Sequence, residues 1–246
     1  MGTKMILSTL NHNVPDLTDN LIHQLKKDPI TNDMEFMVVD NGSSEPLAKH
    51  TTHKLETNAY FGGGFNVILE YFLSTDHDYL AMLNNDLIFH GYNFVSNVLS
   101  EMKENDSAVY SPSVINAEIS QCNWKQMYNW GSNTVREVRW IDFQCPILRR
   151  DICEIIHQFP DKLVYGWGLD FYAGVIAETH GLKTHVSDKQ AVAHLNSQTF
   201  RRGKINIGVE EFCRRAEFGL HDYFSTSDYN ELYYDLRNWG EDYEYK

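Results

Sequence analysis

Polar side chains close two apolar runs in the first third of the sequence, where they could bind a charged ligand. Asp40 ends "MEFMVVD" (34–40), and Asn85 and Asp86 end "DYLAMLNND" (78–86). A carboxylate there can accept a hydrogen bond from a ribose hydroxyl or a base N–H, or it can bind a divalent cation together with an asparagine carbonyl oxygen. Mg²⁺ and Mn²⁺ prefer such oxygen ligands, usually alongside substrate phosphates. An Asx turn at Asp40 and a surface turn at Asp86 are the structural alternatives.

Three consecutive glycines, Gly62, Gly63 and Gly64, stand in "ETNAYFGGGFNVILEYF" (56–72), at the start of a predicted helix. Glycine in a helix costs about 1 kcal/mol relative to alanine, so three of them suggest that the backbone must approach something closely. A glycine-rich turn at a helix N-terminus lets backbone N–H groups reach a phosphate or a sugar. The spacing matches neither the P-loop nor the GxGxxG pattern, and a loop that needs positive φ without any ligand is the alternative.

Buried strands alternate with amphipathic helices along the first half of the chain. Strands are predicted at 4–9, 34–40, 78–86 and 107–115, and helices at 16–27, 62–73 and 95–105. This alternation predicts an α/β fold with a mostly parallel sheet flanked by helices on both faces. Ligands of such sheets bind outside the carboxyl ends of the strands, which is where the polar segments lie.

The pattern changes after residue 116. A Gly-Ser-Asn turn within 121–148 predicts a small antiparallel hairpin, and helices follow at 149–159 and 168–181 before strands return at 182–195. The last 40 residues or so are predicted to form helices. We expect one domain over 1–200, with a C-terminal helical extension over 201–246 packed on it.

Composition narrows the classes of partner and compartment. The net charge of −13 argues against nucleic acid as the main partner, although "RRGK" (201–204) is a local basic segment. The four cysteines have no CxxC spacing and are predicted to be reduced thiols. Without an apolar run near 18 residues or a signal peptide, we expect a soluble cytoplasmic protein. Peripheral membrane attachment and the cytoplasm of a phage-infected host stay open, and the oligomeric state is unknown.

Five motifs in order carry a family resemblance. "VVDNGSS", "NAYFGGGFN", "YLAMLNND", "IDFQCPILRRDICEIIHQFPDKLVYGWGLD" and "AVAHL" resemble a family 2 glycosyltransferase with the GT-A fold. The resemblance runs from about residue 4 to about residue 200. It implies a Rossmann-like, mostly parallel sheet, a nucleotide-sugar donor that is most often UDP-linked, and a divalent metal, Mn²⁺ or Mg²⁺.

The resemblance also implies roles for individual residues. Asp86 corresponds to the metal carboxylate of the DxD motif, His194 to a later metal or phosphate contact, and Asp170 to the general base. The positions expected to hold the nucleotide-sugar are Thr9, Asn11, Asp40, Asn58, Gly63, Gly64, Asn66 and Asn85. Alternatively, Asp170 merely caps a helix and His194 is a core residue.

The sequence departs from the family pattern at two motifs. The DxD segment begins with Asn84, so its first carboxylate is absent. The family's "GWGEDxDLxxR" is "GWGLDFYAGVI" here, in which only the carboxylate of Asp170 remains. Either Asp170 suffices as the base or the acceptor site is unusual.

These roles predict a metal-dependent, inverting glycosyltransferase. The expected acceptor is a hydroxyl of a glycan or polysaccharide precursor. An alternative acceptor is DNA, as in bacteriophage enzymes that glycosylate a hydroxymethylated base. A non-catalytic scaffold that binds a nucleotide-sugar and a nucleotidyltransferase are alternatives from other classes.

Overall fold

The computed structural model describes residues 3–44, 46–115, 122, 124–166, 168–195 and 229–244. Its strands are β1 (Met5–Asn11), β2 (Glu35–Asn41), β3 (His53–Leu55), β4 (Tyr79–Leu83), β5 (Leu87–Phe89), β6 (Ser107–Val114), β7 (Val135–Val138), β8 (Ile147–Arg149) and β9 (Lys183–His194). Its α-helices are α1 (Pro15–Leu25), α2 (Tyr60–Leu73), α3 (Phe94–Glu104), α4 (Arg150–Ile156), α5 (Leu169–Thr179) and α6 (Tyr229–Asp242).

All of these strands belong to one sheet, in the order β3-β2-β1-β4-β8-β6-β9-β5, with β7 also paired to β9. The pairs β1–β2, β1–β4, β2–β3 and β6–β9 are parallel, and β8 runs antiparallel between β4 and β6. The carboxyl ends of β1, β2 and β4 therefore lie at one edge of the sheet. The predicted α/β fold with a mostly parallel, helix-flanked sheet is confirmed.

The sheet separates two apolar clusters. On one face, α1 and α3 contribute Leu21, Ile22, Val95 and Val98. On the other face lie the apolar residues of α2, α4 and α5, including Phe65, Phe72, Ile152 and Val175. Strands that are buried on both faces read as apolar runs, which explains why β4 carries a continuous run of apolar residues rather than an alternating pattern.

The antiparallel element differs in detail from the predicted hairpin. The Gly-Ser-Asn segment does turn, with positive φ at Gly131 and Asn133, and β7 follows it. However, a short 3₁₀-helix, Lys125–Met127, lies before the turn, and the antiparallel partner of β7 is β9. The reason is that β9 is the longest strand and offers β7 a ready backbone edge, whereas 125–127 is helical.

The C-terminal helix α6 packs on the same core. Leu236 is fully buried in the cluster that contains α5, and Trp140 Nε1 donates a hydrogen bond to the Leu236 carbonyl oxygen at 2.9 Å. The basic segment 201–204 and the predicted domain division at residue 200 lie outside the described residues, so that division stays a prediction.

Among the residues described, no helix has the length and apolar character needed to span a bilayer.

Candidate active site

The predicted metal residues Asp86 and His194 are brought together by the pairing of β5 with β9. Leu87, next to Asp86, lies opposite His194 in that ladder. Asp86 Oδ1 lies 3.0 Å from His194 Nε2, and both side chains are more than nine-tenths buried. The prediction that the two residues share one site is consistent with this geometry, and the alternative of a solvent-exposed turn at Asp86 is not.

The donor atoms at this point suit a divalent cation. Asn84 Nδ2 lies 3.3 Å from His194 Nε2, and the buried Asn84 Oδ1 has no hydrogen-bond partner among the described residues. No group of three or more His, Cys, Asp or Glu side chains with ligand geometry occurs in the described part of the chain. Asp86 and His194 would thus leave coordination positions for Asn84, water and substrate phosphates. As a ligand, the His194 nitrogen would depart from the oxygen shell that Mg²⁺ prefers, so Mn²⁺ would fit this set of donor atoms better.

Asp170 lies in the first turn of α5, two residues after Gly168, which has left-handed geometry. Gly168 occupies the N-cap position with φ of 95°, and no side chain caps the helix. Asp170 Oδ1 accepts the N–H of Phe171 at 2.9 Å. Burial raises the pKa of Asp170 to about 8, and the negative charge of Asp142 adds to the rise. Gly168 and not Asp170 is the N-cap residue, but the Asp170 carboxylate bonds the backbone of its own helical turn, so a role in helix capping stays an alternative.

Asp142 is a site residue that the sequence analysis missed. Its Oδ2 accepts a hydrogen bond from Gln144 Nε2 at 2.7 Å. Burial raises the pKa of the Asp142 carboxyl, while a positive charge on His194 opposes the rise. Electrostatic contacts therefore connect Asp142 both to Asp170 and to the Asp86–His194 pair.

Strand topology explains why Asp142 lies here. β8 is antiparallel to β4, so the residues before β8 lie beside those after β4. Met82 N–H donates to Pro146 O at 2.9 Å, and Asn84 N–H donates to Gln144 O at 3.2 Å. The only local signal in the sequence was an acid shortly before a strand. That signal indicates the carboxyl edge of β4 only when β8 is known to run antiparallel to β4.

A chain of hydrogen bonds connects Asn85, the neighbour of Asp86, to the ends of β1 and β2. Asn85 Nδ2 donates to Leu10 O at 3.0 Å and to Thr18 Oγ1 at 3.3 Å, and Thr18 Oγ1 donates to Asn11 Oδ1 at 3.2 Å. Asn11 Nδ2 then donates to Asp40 Oδ2 at 2.9 Å. The structure therefore brings Asn11, Asp40 and Asn85 into one network, as expected for strand ends that share an edge.

The described contacts of Asp40 are all internal. It is fully buried, and its Oδ1 accepts the N–H of Ser43 at 3.1 Å. This bond reaches one residue further than an Asx turn, but it likewise ties the Asp40 side chain to the backbone of the turn that follows. Thr9 is also buried, and its hydroxyl has no hydrogen-bond partner among the described residues. Direct contact of Asp40 or Thr9 with a nucleotide stays a prediction.

Asn58 belongs to a more accessible polar group beside this network. His12 Nδ1 donates to Asn41 O at 2.8 Å, which leaves Nε2 as an acceptor for Asn58 Nδ2 at 3.3 Å. Asn58 Oδ1 also accepts the N–H of Tyr60 at 2.7 Å. His12 was not singled out from the sequence, and its half-buried ring makes it a further candidate for contact with a ligand.

The glycines of α2 are explained mainly by contacts within the protein. A Cβ on Gly62 would lie 2.3 Å from the Leu163 carbonyl oxygen, and one on Gly64 would lie 2.7 Å from the Leu10 side chain. A Cβ on Gly63 would meet only Ala59, at 3.0 Å. Two of these glycines were predicted to contact a donor. The space beside the Gly64 Cα is filled by Leu10, whereas the space beside the Gly63 Cα is open to a ligand except for Ala59.

Asn66 is likewise directed at the protein. Asn66 Nδ2 donates to Phe159 O at 3.0 Å, and Phe159 N–H donates to Asn66 Oδ1 at 2.9 Å. Both polar atoms of the side chain are bonded to a backbone segment, because Asn66 lies on the face of α2 that meets the loop after α4. We therefore revise its predicted role as a donor contact.

Solved structures share this architecture. A structure of S. aureus TarS 1–349 in complex with UDP-GlcNAc is similar over 94% of this chain and 75% of its own, with a TM-score of 0.57 and 15% identity. A structure of GalNAc-T7 with UDP, GalNAc and Mn²⁺ is similar over 96% of this chain, with a TM-score of 0.65 and 11% identity. This chain spans about half of GalNAc-T7, 54%. The chain has the GT-A fold.

Sequence comparison adds no closer relative. No protein-family model matches the chain, and no curated protein matches it significantly. Identities of 11–15% to GT-A structures establish the fold alone. Function must therefore be argued from the site at the carboxyl edge of this GT-A sheet.

Proposed function

We propose that this protein is a metal-dependent, inverting glycosyltransferase. In this proposal it moves a sugar from a nucleotide-sugar, most often UDP-linked in this fold family, to a hydroxyl of a glycan or polysaccharide precursor. The observation that carries the proposal is the position of Asp170. Its carboxyl has a raised pKa and lies in electrostatic contact, through Asp142, with the Asp86–His194 pair at the carboxyl edge of the sheet. Perturbed carboxyls of this kind are concentrated at functional sites.

Each group has a distinct task in the proposed reaction. Asp86 and His194 would hold Mn²⁺, and the chemistry that the bound cation supplies is neutralisation of the departing diphosphate. Asp170 accepts the proton of the acceptor hydroxyl while that oxygen attacks the anomeric carbon, so the sugar–phosphate bond breaks as the new glycosidic bond forms. A single displacement inverts the anomeric configuration. A pKa near 8 suits a general base that acts around neutral pH.

The two carboxylates also bear on the acceptor and on the alternatives. When Asp170 is ionised and acts as the base, negative charge stands where the acceptor must approach, which disfavours a phosphodiester chain and favours a neutral sugar. A DNA acceptor is therefore the second choice. Asp142 also supplies a second acid beside Asp170, which the sequence motif lacks, and this favours catalysis over a purely binding scaffold.

The test is UDP release from a panel of UDP-sugars with Mn²⁺. We expect slow, Mn²⁺-dependent release from one UDP-sugar by the wild type, faster release with a sugar acceptor, and loss of release in Asp86→Ala and Asp170→Asn. Asp33→Asn is the matched control, because this exposed acid precedes β2 at the opposite edge of the sheet. Donor binding by calorimetry without any UDP release would favour the scaffold. If no UDP compound binds, the assignment of a UDP-linked donor is wrong.

A further inference from the structure

Asn66 holds the backbone of a residue that no strand or helix supports. Phe159 lies between α4 and the short 3₁₀-helix Asp161–Leu163, and Asn66 bonds both its N–H and its carbonyl oxygen, at 2.9 and 3.0 Å. The side-chain amide of Asn66 thus makes the two backbone hydrogen bonds that a neighbouring strand would otherwise make with Phe159. The position of Phe159 is set by α2.

The ring of Phe159 lies between the two segments that carry the site carboxylates. It is fully buried, and it packs edge-to-face on Phe143 at 6.0 Å and on Tyr172 at 5.9 Å between ring centroids. Phe143 directly follows Asp142, and Tyr172 lies one residue after Phe171 on the first turns of α5. A shift of Phe159 would therefore change where Asp142 and Asp170 stand.

The same helix also contacts the segment that leads into α5. Gly62 N–H donates to Val164 O at 2.9 Å. Gly166 has φ of 86°, and a Cβ there would lie 2.1 Å from the Phe61 ring. The first turns of α2 therefore pack closely on residues 163–166, and the candidate donor residue Gly63 lies within those turns.

We propose that Asn66 is a positioning residue: through Phe159 it sets the Asp142 and Asp170 carboxylates against the donor side of the site. The inference rests on the proposed transferase function. It predicts that Asn66 acts on turnover and not on donor affinity, since both polar atoms of its amide bond the Phe159 backbone.

The test compares turnover with nucleotide binding. UDP release is measured from the UDP-sugar that the wild type turns over, and the Kd of UDP with Mn²⁺ is measured by calorimetry. In Asn66→Ala we expect kcat to fall about 10–100-fold, because small misplacements of a catalytic group cost this much, with KM and the UDP Kd within about twofold of wild type. Asn105→Ala is the control: it also loses a side-chain bond to the backbone, to Glu101 O at 2.8 Å at the end of α3, and should keep kcat.

A second pair of variants separates positioning from loss of folding. Asn66→Asp keeps an acceptor for the Phe159 N–H but places an oxygen against the Phe159 carbonyl oxygen, so it should lower kcat as Asn66→Ala does. Phe159→Leu keeps the backbone bonds but alters the ring contacts, so it should lower kcat as well. Because both act along one path, the double variant Asn66→Ala/Phe159→Leu should lose no more than the worse single variant.

Three results would overturn the inference. A UDP Kd weakened tenfold at unchanged kcat would make Asn66 a donor contact. Lower stability with unchanged kcat and KM would make it structural only, and losses that multiply in the double variant would show independent effects. A wild type that binds UDP but releases none from any donor would instead overturn the proposed function, and with it this role.

Discussion

At the scale of single residues, the site depends on two carboxylates that are distant in sequence. A solvated aspartate would keep the ordinary low pKa of its carboxyl. Burial, together with the negative charge of Asp142, raises the pKa of Asp170 to about 8. Two like charges that share a poorly solvated site cannot ionise independently, so each favours the protonated form of the other. Asp142 comes from the segment before β8, so the acid that acts on the pKa of Asp170 is distant from it in sequence.

The pair predicts the pH dependence of turnover. A base must be ionised, so kcat should rise with pH and level off above about 8, where Asp170 has lost its proton. Asp142→Asn removes a like charge and lowers the pKa of Asp170, so the rising limb should move to lower pH. Asp170→Asn should lower kcat about 10²–10⁴-fold.

The measurement is a profile of UDP release against pH for the wild type, Asp142→Asn and the control Asp33→Asn. Only Asp142→Asn should displace the rising limb. A limb that stays in place in this variant would mean that the ionisation seen in kcat is not that of Asp170 beside Asp142.

At the scale of elements, the start of α2 allows the helix to pack closely on its neighbours. Gly62 and Gly64 allow the helix to approach the 163–164 backbone and the end of β1 more closely than any side chain would. Each glycine destabilises the helix by about 1 kcal/mol relative to alanine, and the close approach offsets this cost. The helix in turn holds the loop that leads to Asp170.

The glycines should therefore respond unequally to alanine. Gly62→Ala, whose Cβ would lie 2.3 Å from a carbonyl oxygen, should lower the free energy of unfolding by about 1–3 kcal/mol or more, and Gly64→Ala by less, since the flexible Leu10 side chain can shift. Gly63→Ala should be neutral or stabilising by up to about 1 kcal/mol. Urea unfolding measures the series. Equal losses at all three positions would contradict the packing explanation, and weaker UDP binding in a stable Gly63→Ala would support its predicted contact with the donor.

At the scale of the whole molecule, α6 supports the helix that carries Asp170. Trp140 is fully buried between them: its ring packs on Phe171 at 4.4 Å between centroids, and its Nε1 bonds the Leu236 carbonyl. A Cβ on Gly240 would lie 2.3 Å from the same indole ring. A helix from the end of the chain thus completes the core beside the site.

Loss of this contact should destabilise the protein. Leu236→Ala removes a fully buried side chain and should lower the free energy of unfolding by about 2–5 kcal/mol. Asn238→Ala, at an exposed position of the same helix, should change it by less than about 0.5 kcal/mol. Urea unfolding followed by tryptophan fluorescence would show both. Similar small effects of the two variants would mean that α6 is not part of the cooperative core.

The sequence by itself determined the succession of elements and the edge of the sheet at which the site lies. Apolar runs that end in Asn11, Asp40 and Asp86 are local patterns, and parallel strands place all such ends at one edge. That is why the α/β fold and the edge of the sheet that carries the polar residues could be predicted from residue types and order, whereas the roles of Asp86, His194 and Asp170 were implied by the family resemblance.

Only the tertiary structure decided what those residues touch. Asn66 and Phe159 are 93 residues apart, and Asp142 reaches the site only because β8 runs antiparallel to β4. The partner of β7 was likewise set by the free edge of β9 and not by its neighbour in sequence. Local periodicity indicates whether a segment forms a helix or a strand and which of its faces is buried. The contacts between segments depend on strand direction and on close packing, which no local pattern encodes.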